Sequence, residues 1–176
     1  GEMDYFSINS PCFYFCMNLV ITDSGLGGLS VCAQLMLLLN KRADSGLSAF
    51  TADDLHITYM NAVPSNELGY NSMSGREEQL ATFDKILRNV KKLFAPNHIF
   101  VACGTLSVLL KDIQFKSNSL FKIEGILPIG LKQLLDSLHQ NSQATVIIFA
   151  TPTTIDAKTL QHELFNKEIA EKRIIT

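Results

Sequence analysis

Short runs of apolar and β-branched residues alternate along the chain with longer segments whose apolar residues recur at helical spacing. We place strands at five of these runs: 18–22, 56–61, 98–102, 123–127 and 145–150. Strands that alternate with helices are typical of a parallel sheet with helices packed on its faces. The pattern therefore predicts an α/β fold.

Four helices are predicted between and after these strands. The clearest spans 74–95, because Ser74 and Glu77 match a capping box at its start. Its apolar residues share one face: Leu80, Phe83, Leu87, Val90 and Phe94. A helix over 28–39 is apolar nearly all round, so we expect it to be buried. The other two carry the apolar faces Leu131, Leu134, Leu135, Leu138 and Ile155, Leu160, Leu164.

The predicted elements fall into three parts. Residues 1–16 precede the first strand and form an N-terminal extension, residues 17–125 form a first α/β lobe, and residues 126–176 form part of a second. Residues 172–176 resemble the opening of a sixth strand that no helix follows. A sheet left uncovered on one face is unusual in α/β proteins, so we expect the chain to stop before the second lobe is complete.

Composition and charge exclude several classes of protein. Apolar residues make up 47% and charged residues 18%, with a net charge of -2, which argues against disorder and against nucleic-acid binding. The apolar run at 11–21 follows no Lys or Arg and is too short to span a bilayer, so we expect neither export nor a membrane anchor. Four scattered cysteines indicate a reduced, cytoplasmic protein. Cys12 and Cys16 lack nearby partners for a metal site, and we expect no metal and no cofactor.

Candidate chemistry follows the strands, because ligands of open parallel sheets bind at the carboxyl ends of the strands. Asp23-Ser24-Gly25 follows the first strand, Cys103 the third, and Thr151 the fifth. The glycine-rich turn at 25–30 has two interpretations: a dinucleotide-binding turn, or a tight strand-to-helix turn that only glycines permit. Cys103 also has two: a thiol made reactive by a helix start, or a small buried core residue.

Two segments together resemble one family. ITDSGLGGLSV, at 21–31, resembles the opening motif of glutamate racemases and their aspartate/glutamate racemase relatives. VACGT, at 101–105, resembles the motif of their first catalytic cysteine. The segments 59–72 and 148–155 are similar to two further motifs, in the same order and spacing. The resemblance implies a flavodoxin-like racemase lobe with a second lobe that is incomplete.

The resemblance also implies a function. It is a cofactor-independent interconversion of L- and D-glutamate for peptidoglycan precursors, in which one cysteine removes the Cα proton and another reprotonates the opposite face. Cys103 and Asp23 would be catalytic, and the substrate-binding residues would be Ser24, Gly69, Gly104, Thr105, Thr151 and Thr154. Aspartate is an alternative substrate, and homodimer formation stays open.

The chain also departs from the family pattern. Gly104 stands where relatives carry Asn, and Glu67-Leu68 replaces Pro-Tyr before Gly69. The Gly-Cys-Thr-His segment that carries the second cysteine is missing from the sequence. Two alternatives to an active racemase therefore remain: a non-catalytic relative that binds an amino acid, and a nucleotide-binding α/β module.

Overall fold

The computed structural model describes residues 17–45, 54–63, 69–116, 121–141, 143–167, 169 and 174–176. The strands are β1 (Met17–Asp23), β2 (Leu55–Asn61), β3 (His98–Val101), β4 (Lys122–Gly125), β5 (Val146–Ile147) and β6 (Ile174–Ile175). The helices are α1 (Gly27–Asp44), α2 (Arg76–Phe94), α3 (Gly104–Ser107), α4 (Leu127–Gln140), α5 (Pro152–Asp156) and α6 (Thr159–Asn166), with a 3₁₀ turn at Tyr70–Ser72. The expected extension at 1–16, with Cys12 and Cys16, lies outside the described residues.

The main sheet has four parallel strands in the order β2-β1-β3-β4. β1 is central, and its end pairs with both neighbours: Asp23 aligns with Asn61 of β2, and Thr22 aligns with Val101 of β3. Since all four strands run in one direction, their carboxyl ends meet at one edge. The α/β fold with a parallel sheet is confirmed.

The larger core lies between this sheet and α2. The sheet contributes Val20, Ile99 and Val101, and α2 contributes Phe83, Leu87 and Val90, all at most 1% exposed. Burial of each such side chain contributes roughly 1.5–3 kcal/mol. α2 ends at Phe94 because Ala95 is left-handed, with φ 42°, and Pro96 follows it. The predicted apolar face of this helix is confirmed.

The start of α2 differs from the prediction. The backbone N–H and the hydroxyl of Ser74 each donate to Glu78, both at 2.8 Å, so the predicted pairing with Glu77 is wrong. The helix begins at Arg76 after Gly75, which carries no capping side chain. Glu78 is therefore the third helical residue, and its side chain is the one that reaches back to Ser74.

The expectation that α1 is buried is also wrong. Val31, Leu35 and Leu39 are half-buried and share one face at a spacing of four residues. The opposite side carries Leu37 and Leu38, which are 53% and 58% exposed. One helix can press only one stripe against a sheet, so an apolar composition does not bury the other side. None of the described helices is long and apolar enough to cross a membrane.

The strands in the last third of the chain are shorter than predicted. β5 and β6 pair in parallel as a separate two-stranded sheet, around which Leu138, Val146, Leu164 and Ile169 form a second core. The strand predicted at 123–127 ends at Gly125, because Leu127 and Pro128 begin α4. The described strands therefore form two separate sheets.

Candidate functional site

The turn after β1 holds a carboxylate against the start of a helix. Asp23 ends the strand and is 7% exposed. The backbone N–H of Gly25 donates to its Oδ1 at 3.1 Å, and the N–H of Gly28 donates to its Oδ2. One amide of the turn and one amide in the first turn of α1 are therefore bound to the chain's own carboxylate. This arrangement disfavours a dinucleotide-binding turn, in which such amides are free for phosphate.

Packing explains the glycine at position 28. A Cβ atom there would lie 3.0 Å from Cβ of Asp23 and 3.0 Å from the ring of Tyr59. The Tyr59 hydroxyl donates to the carbonyl oxygen of Gly25 at 2.5 Å and fixes the turn from the neighbouring strand. Burial, and then the charges of Asp23, Cys32 and Cys103, raise the pKa of Tyr59, so it remains a donor. The tight-turn interpretation of the glycines fits this geometry.

Cys103 lies beside this turn, as expected for residues that follow adjacent parallel strands. It comes after β3, has extended backbone (φ -134°, ψ 129°), and immediately precedes α3. Its side chain is 8% exposed, and its Sγ lies 3.1 Å from the hydroxyl oxygen of Ser24. Asp23, Ser24 and Cys103 therefore lie together at one edge of the sheet.

Three threonine hydroxyls lie in a row that connects α3 with the start of α5. The hydroxyl oxygens of Thr105 and Thr151 are 2.8 Å apart, and those of Thr151 and Thr154 are 3.0 Å apart. Thr105 and Thr154 are buried, whereas Thr151, which joins them, is exposed, so the row reaches the surface at its middle member. Gly104 faces it, since a Cβ atom there would lie 3.7 Å from Oγ1 of Thr154. The structure thus brings the predicted threonines to the cysteine loop.

Gly69 is less closely joined to this group. It is exposed just before the 3₁₀ turn, and no described atom lies within 4 Å of the position of an added Cβ. The turn itself is joined to α5: Oδ1 of Asn71 accepts from the hydroxyl of Thr153 at 2.8 Å, and Nε2 of Gln79 donates to that hydroxyl at 3.0 Å. The carbonyl oxygen of Gly69 accepts from the backbone N–H of Ser72 at 3.0 Å, so this predicted residue belongs to the turn that reaches α5.

Sequence reasoning missed Tyr59, Asn71 and Gln79. Gln79 is 7% exposed on the apolar side of α2, and a buried amide on an apolar face is the sequence signal that could have identified it. Tyr59 and Asn71 carry no such signal, because each acts on a segment far along the chain. Among the described residues, no group of three or more His, Cys, Asp or Glu side chains could hold a metal ion.

Comparison with solved structures places this arrangement on a known fold. The chain is similar to the glutamate racemase of Campylobacter jejuni subsp. jejuni, with a TM-score of 0.69 and 21% identity over 90% of this chain and 55% of that one. It is also similar to the glutamate racemase of Aquifex pyrophilus, with a TM-score of 0.61 and 21% identity over 85% of this chain and 51% of that one. The chain therefore spans about half the length of these structures. No protein-family model and no curated protein sequence matches it.

Proposed function

We propose that this chain is a glutamate racemase relative that acts, without a cofactor, on the Cα proton of glutamate through the thiolate of Cys103. The supporting observation is the placement of Cys103 Sγ 3.1 Å from Ser24 Oγ, beside the carboxylate of Asp23, on a glutamate racemase fold. A thiolate held next to a polar turn is suited to proton transfer at carbon. Aspartate is the alternative substrate.

Each residue has a role in this proposal. The Cys103 thiolate removes the Cα proton, which forms an S–H bond and leaves the electron pair on the substrate carbon. Asp23 assists the change of protonation or binds the substrate ammonium group, and Ser24 binds substrate beside the sulfur. The Gly104 amide and Thr105 bind the α-carboxylate, while Thr151, Thr154 and Gly69 complete the pocket wall. A role in peptidoglycan precursor supply, in the cytoplasm, follows from the same resemblance.

A second candidate is an amino-acid-binding protein without catalysis. It is favoured by Gly104, which offers no side-chain amide and leaves ordinary contact space in front of Thr154. It is also favoured by the place of Cys32, the other described cysteine, which lies within α1 and not in a loop that follows a strand. Binding without proton exchange is the expected behaviour of such a protein.

One experiment separates the two candidates. The chain is incubated in D2O with purified L- and D-glutamate, and deuterium at Cα is measured by mass spectrometry, while binding is measured by titration calorimetry. The racemase proposal expects exchange of one enantiomer, lost in Cys103→Ser with binding retained. Binding with no exchange supports the second candidate. No binding of glutamate or aspartate would contradict both, and glutamine serves as the control ligand.

A further inference from the structure

The helix α5 does not cap its own amino terminus. Its N-cap residue is Thr151, and a threonine at this position ordinarily accepts a helical N–H through its side-chain oxygen. The side chain of Thr151 makes no such bond. Its hydroxyl instead contacts those of Thr105 and Thr154, at 2.8 and 3.0 Å. Because Pro152 has no N–H, the backbone N–H of Thr153 is the first in α5 that needs another acceptor.

That acceptor comes from the 3₁₀ turn, 82 residues earlier in the chain. Oδ1 of Asn71 accepts from the backbone N–H of Thr153 at 3.2 Å and from the hydroxyl of the same residue at 2.8 Å. An N-cap side chain accepts from the second or third helical N–H, and Thr153 is the second residue of α5. Asn71 therefore supplies the cap that Thr151 does not.

Gln79 holds the same threonine from the side of the core. It is the fourth residue of α2 and is 7% exposed. Its Nε2 donates to the hydroxyl of Thr153 at 3.0 Å and to the carbonyl oxygen of Tyr70 at 2.7 Å. Tyr70 is 1% exposed and belongs to the larger core. The amide of Gln79 thus connects the start of α5 to a buried part of the first lobe.

We propose that Asn71 and Gln79 are positioning residues for the row of threonine hydroxyls. By holding Thr153 they place α5, and they leave the hydroxyl of Thr151 for its two threonine partners. A hydroxyl has one donor and two acceptor positions, and the two partners already occupy two of these three. Neither amide contacts substrate in this proposal, since both act through Thr153. The inference rests on the proposed function in one respect: the threonine row is taken to bind the substrate.

The chemistry of the two amides makes the inference testable by substitution. Asn71 uses only its oxygen toward Thr153, whereas Gln79 uses only its nitrogen. Aspartate has the shape of asparagine and keeps an accepting oxygen, so Asn71→Asp should retain both hydrogen bonds. Asn71→Leu removes the acceptor, and Gln79→Met removes the donor without burying a charge. A role in packing alone would not separate Asn71→Asp from Asn71→Leu.

The test is hydrogen exchange of the backbone amides of Thr153, Thr154 and Ile155, followed by NMR in the ligand-free chain. We expect Asn71→Leu and Gln79→Met to speed this exchange about fivefold, the effect of losing one helix cap or one hydrogen bond. Asn71→Asp should leave the rates unchanged or slower, because a carboxylate also accepts the N–H and its charge suits a helix start. The amides of β3 should keep their wild-type rates in all three variants.

Asn141→Leu is the matched control, because Asn141 is also exposed and its Oδ1 accepts one backbone N–H, from Gln143 at 3.2 Å. It should leave the exchange of α5 unchanged. Unchanged exchange in Asn71→Leu, or equal acceleration in Asn71→Asp, overturns the inference. Equal acceleration in β3 also overturns it, since that result reports a general loss of stability. If Gln79→Met does not fold, the two Asn71 variants decide.

Titration calorimetry with glutamate then connects the placement of α5 to the threonine row. We expect Asn71→Leu to weaken binding about threefold, because the row is correctly placed in a smaller share of molecules, and Asn71→Asp to retain the wild-type affinity. Faster exchange with unchanged affinity overturns the positioning role. If the wild-type chain binds neither glutamate nor aspartate, the proposed function fails, and the exchange rates alone decide whether the two amides hold α5.

Discussion

At the residue scale, the two described cysteines differ in exposure and in what surrounds their sulfur atoms. Cys103 is 8% exposed, whereas Cys32 on α1 is half-buried and so easier to reach. Burial nevertheless raises the pKa of Cys32, with a backbone hydrogen bond opposing the rise. Cys103 has a hydroxyl at its sulfur and a helix start behind it. Since the thiolate is the nucleophile, ionisation rather than access should decide which residue reacts.

Burial raises the pKa of Cys32 and so keeps that thiol protonated; we therefore predict that iodoacetamide labels Cys103 before Cys32 in the folded protein. Peptide mapping by mass spectrometry after a short reaction measures the two rates. In denaturant the preference should vanish, because both thiols then meet water alike. Faster labelling of Cys32 in the folded protein would contradict the assignment of Cys103.

Gly104 gives a second residue-scale prediction. A Cβ atom at this position meets Thr154 at an ordinary contact distance of 3.7 Å, so it requires no shift of its neighbours. Gly104→Asn should fold with an unchanged or slightly higher melting temperature, since glycine is a poor helix residue. It should also bind glutamate about fivefold tighter, because the added amide contributes one hydrogen bond of about 1 kcal/mol.

The control is Gly104→Ala, which adds the Cβ atom without the amide. Titration calorimetry on the pair isolates the amide's contribution. Equal affinity of Gly104→Asn and Gly104→Ala for glutamate would show that the substrate does not contact the side chain at position 104.

At the element scale, the contact between α3 and β4 fixes the loop that carries Cys103. The Ser107 hydroxyl donates to the Val101 carbonyl oxygen at 3.2 Å and accepts from the backbone N–H of Ile126 at 3.1 Å. It thereby joins the strand before Cys103 to the end of β4. A Cβ atom on Gly125 would lie 2.6 Å from that hydroxyl oxygen. The absence of a side chain at position 125 is therefore what lets α3 approach the sheet.

We expect Gly125→Ala to destabilise the protein by about 1–3 kcal/mol, because Ser107 or the backbone must move. Gly130→Ala is the matched control: it lies in α4, with no described atom within 4 Å of an added Cβ. That substitution should stabilise by roughly 0.5–1 kcal/mol through helix propensity. Urea denaturation of both variants measures the change in the free energy of unfolding, which should have opposite signs. An unchanged free energy in Gly125→Ala would show that Ser107 can move aside at no cost.

Helices and strands were predicted best where the spacing of their apolar residues shows which side is buried. The apolar face of α2 follows from local spacing, and the apolar run at 18–22 predicts β1; both agree with the structure. The buried expectation for α1 failed because composition counts apolar residues without saying how many faces a neighbour covers. β5 failed because only two of its six predicted residues pair, and pairing depends on a partner strand far along the chain.

At the scale of the whole molecule, the sequence predicts which strand ends lie together, but not the side-chain hydrogen bonds that connect them. Asp23 and Cys103 could be placed together because parallel strands end at one edge. Thr105, Thr151 and Thr154 could be placed at this edge in the same way, but their hydrogen bonds could not, since these join segments about 50 residues apart through side chains. These hydrogen bonds depend on the contact between α3 and the start of α5, which no local sequence pattern encodes.

That arrangement leads to a prediction for the 176-residue chain assayed alone. Racemisation requires a base on one face of Cα and an acid on the other, and among the described residues Cys103 is the thiol at the site. We expect no interconversion of L- and D-glutamate near the rate of a two-cysteine racemase, even where deuterium exchange with retention occurs. Circular dichroism at fixed wavelength follows interconversion, with Cys103→Ser as the blank. Robust interconversion that this variant abolishes would require a second acid, and Asp156, at the end of α5, would be the first residue to replace.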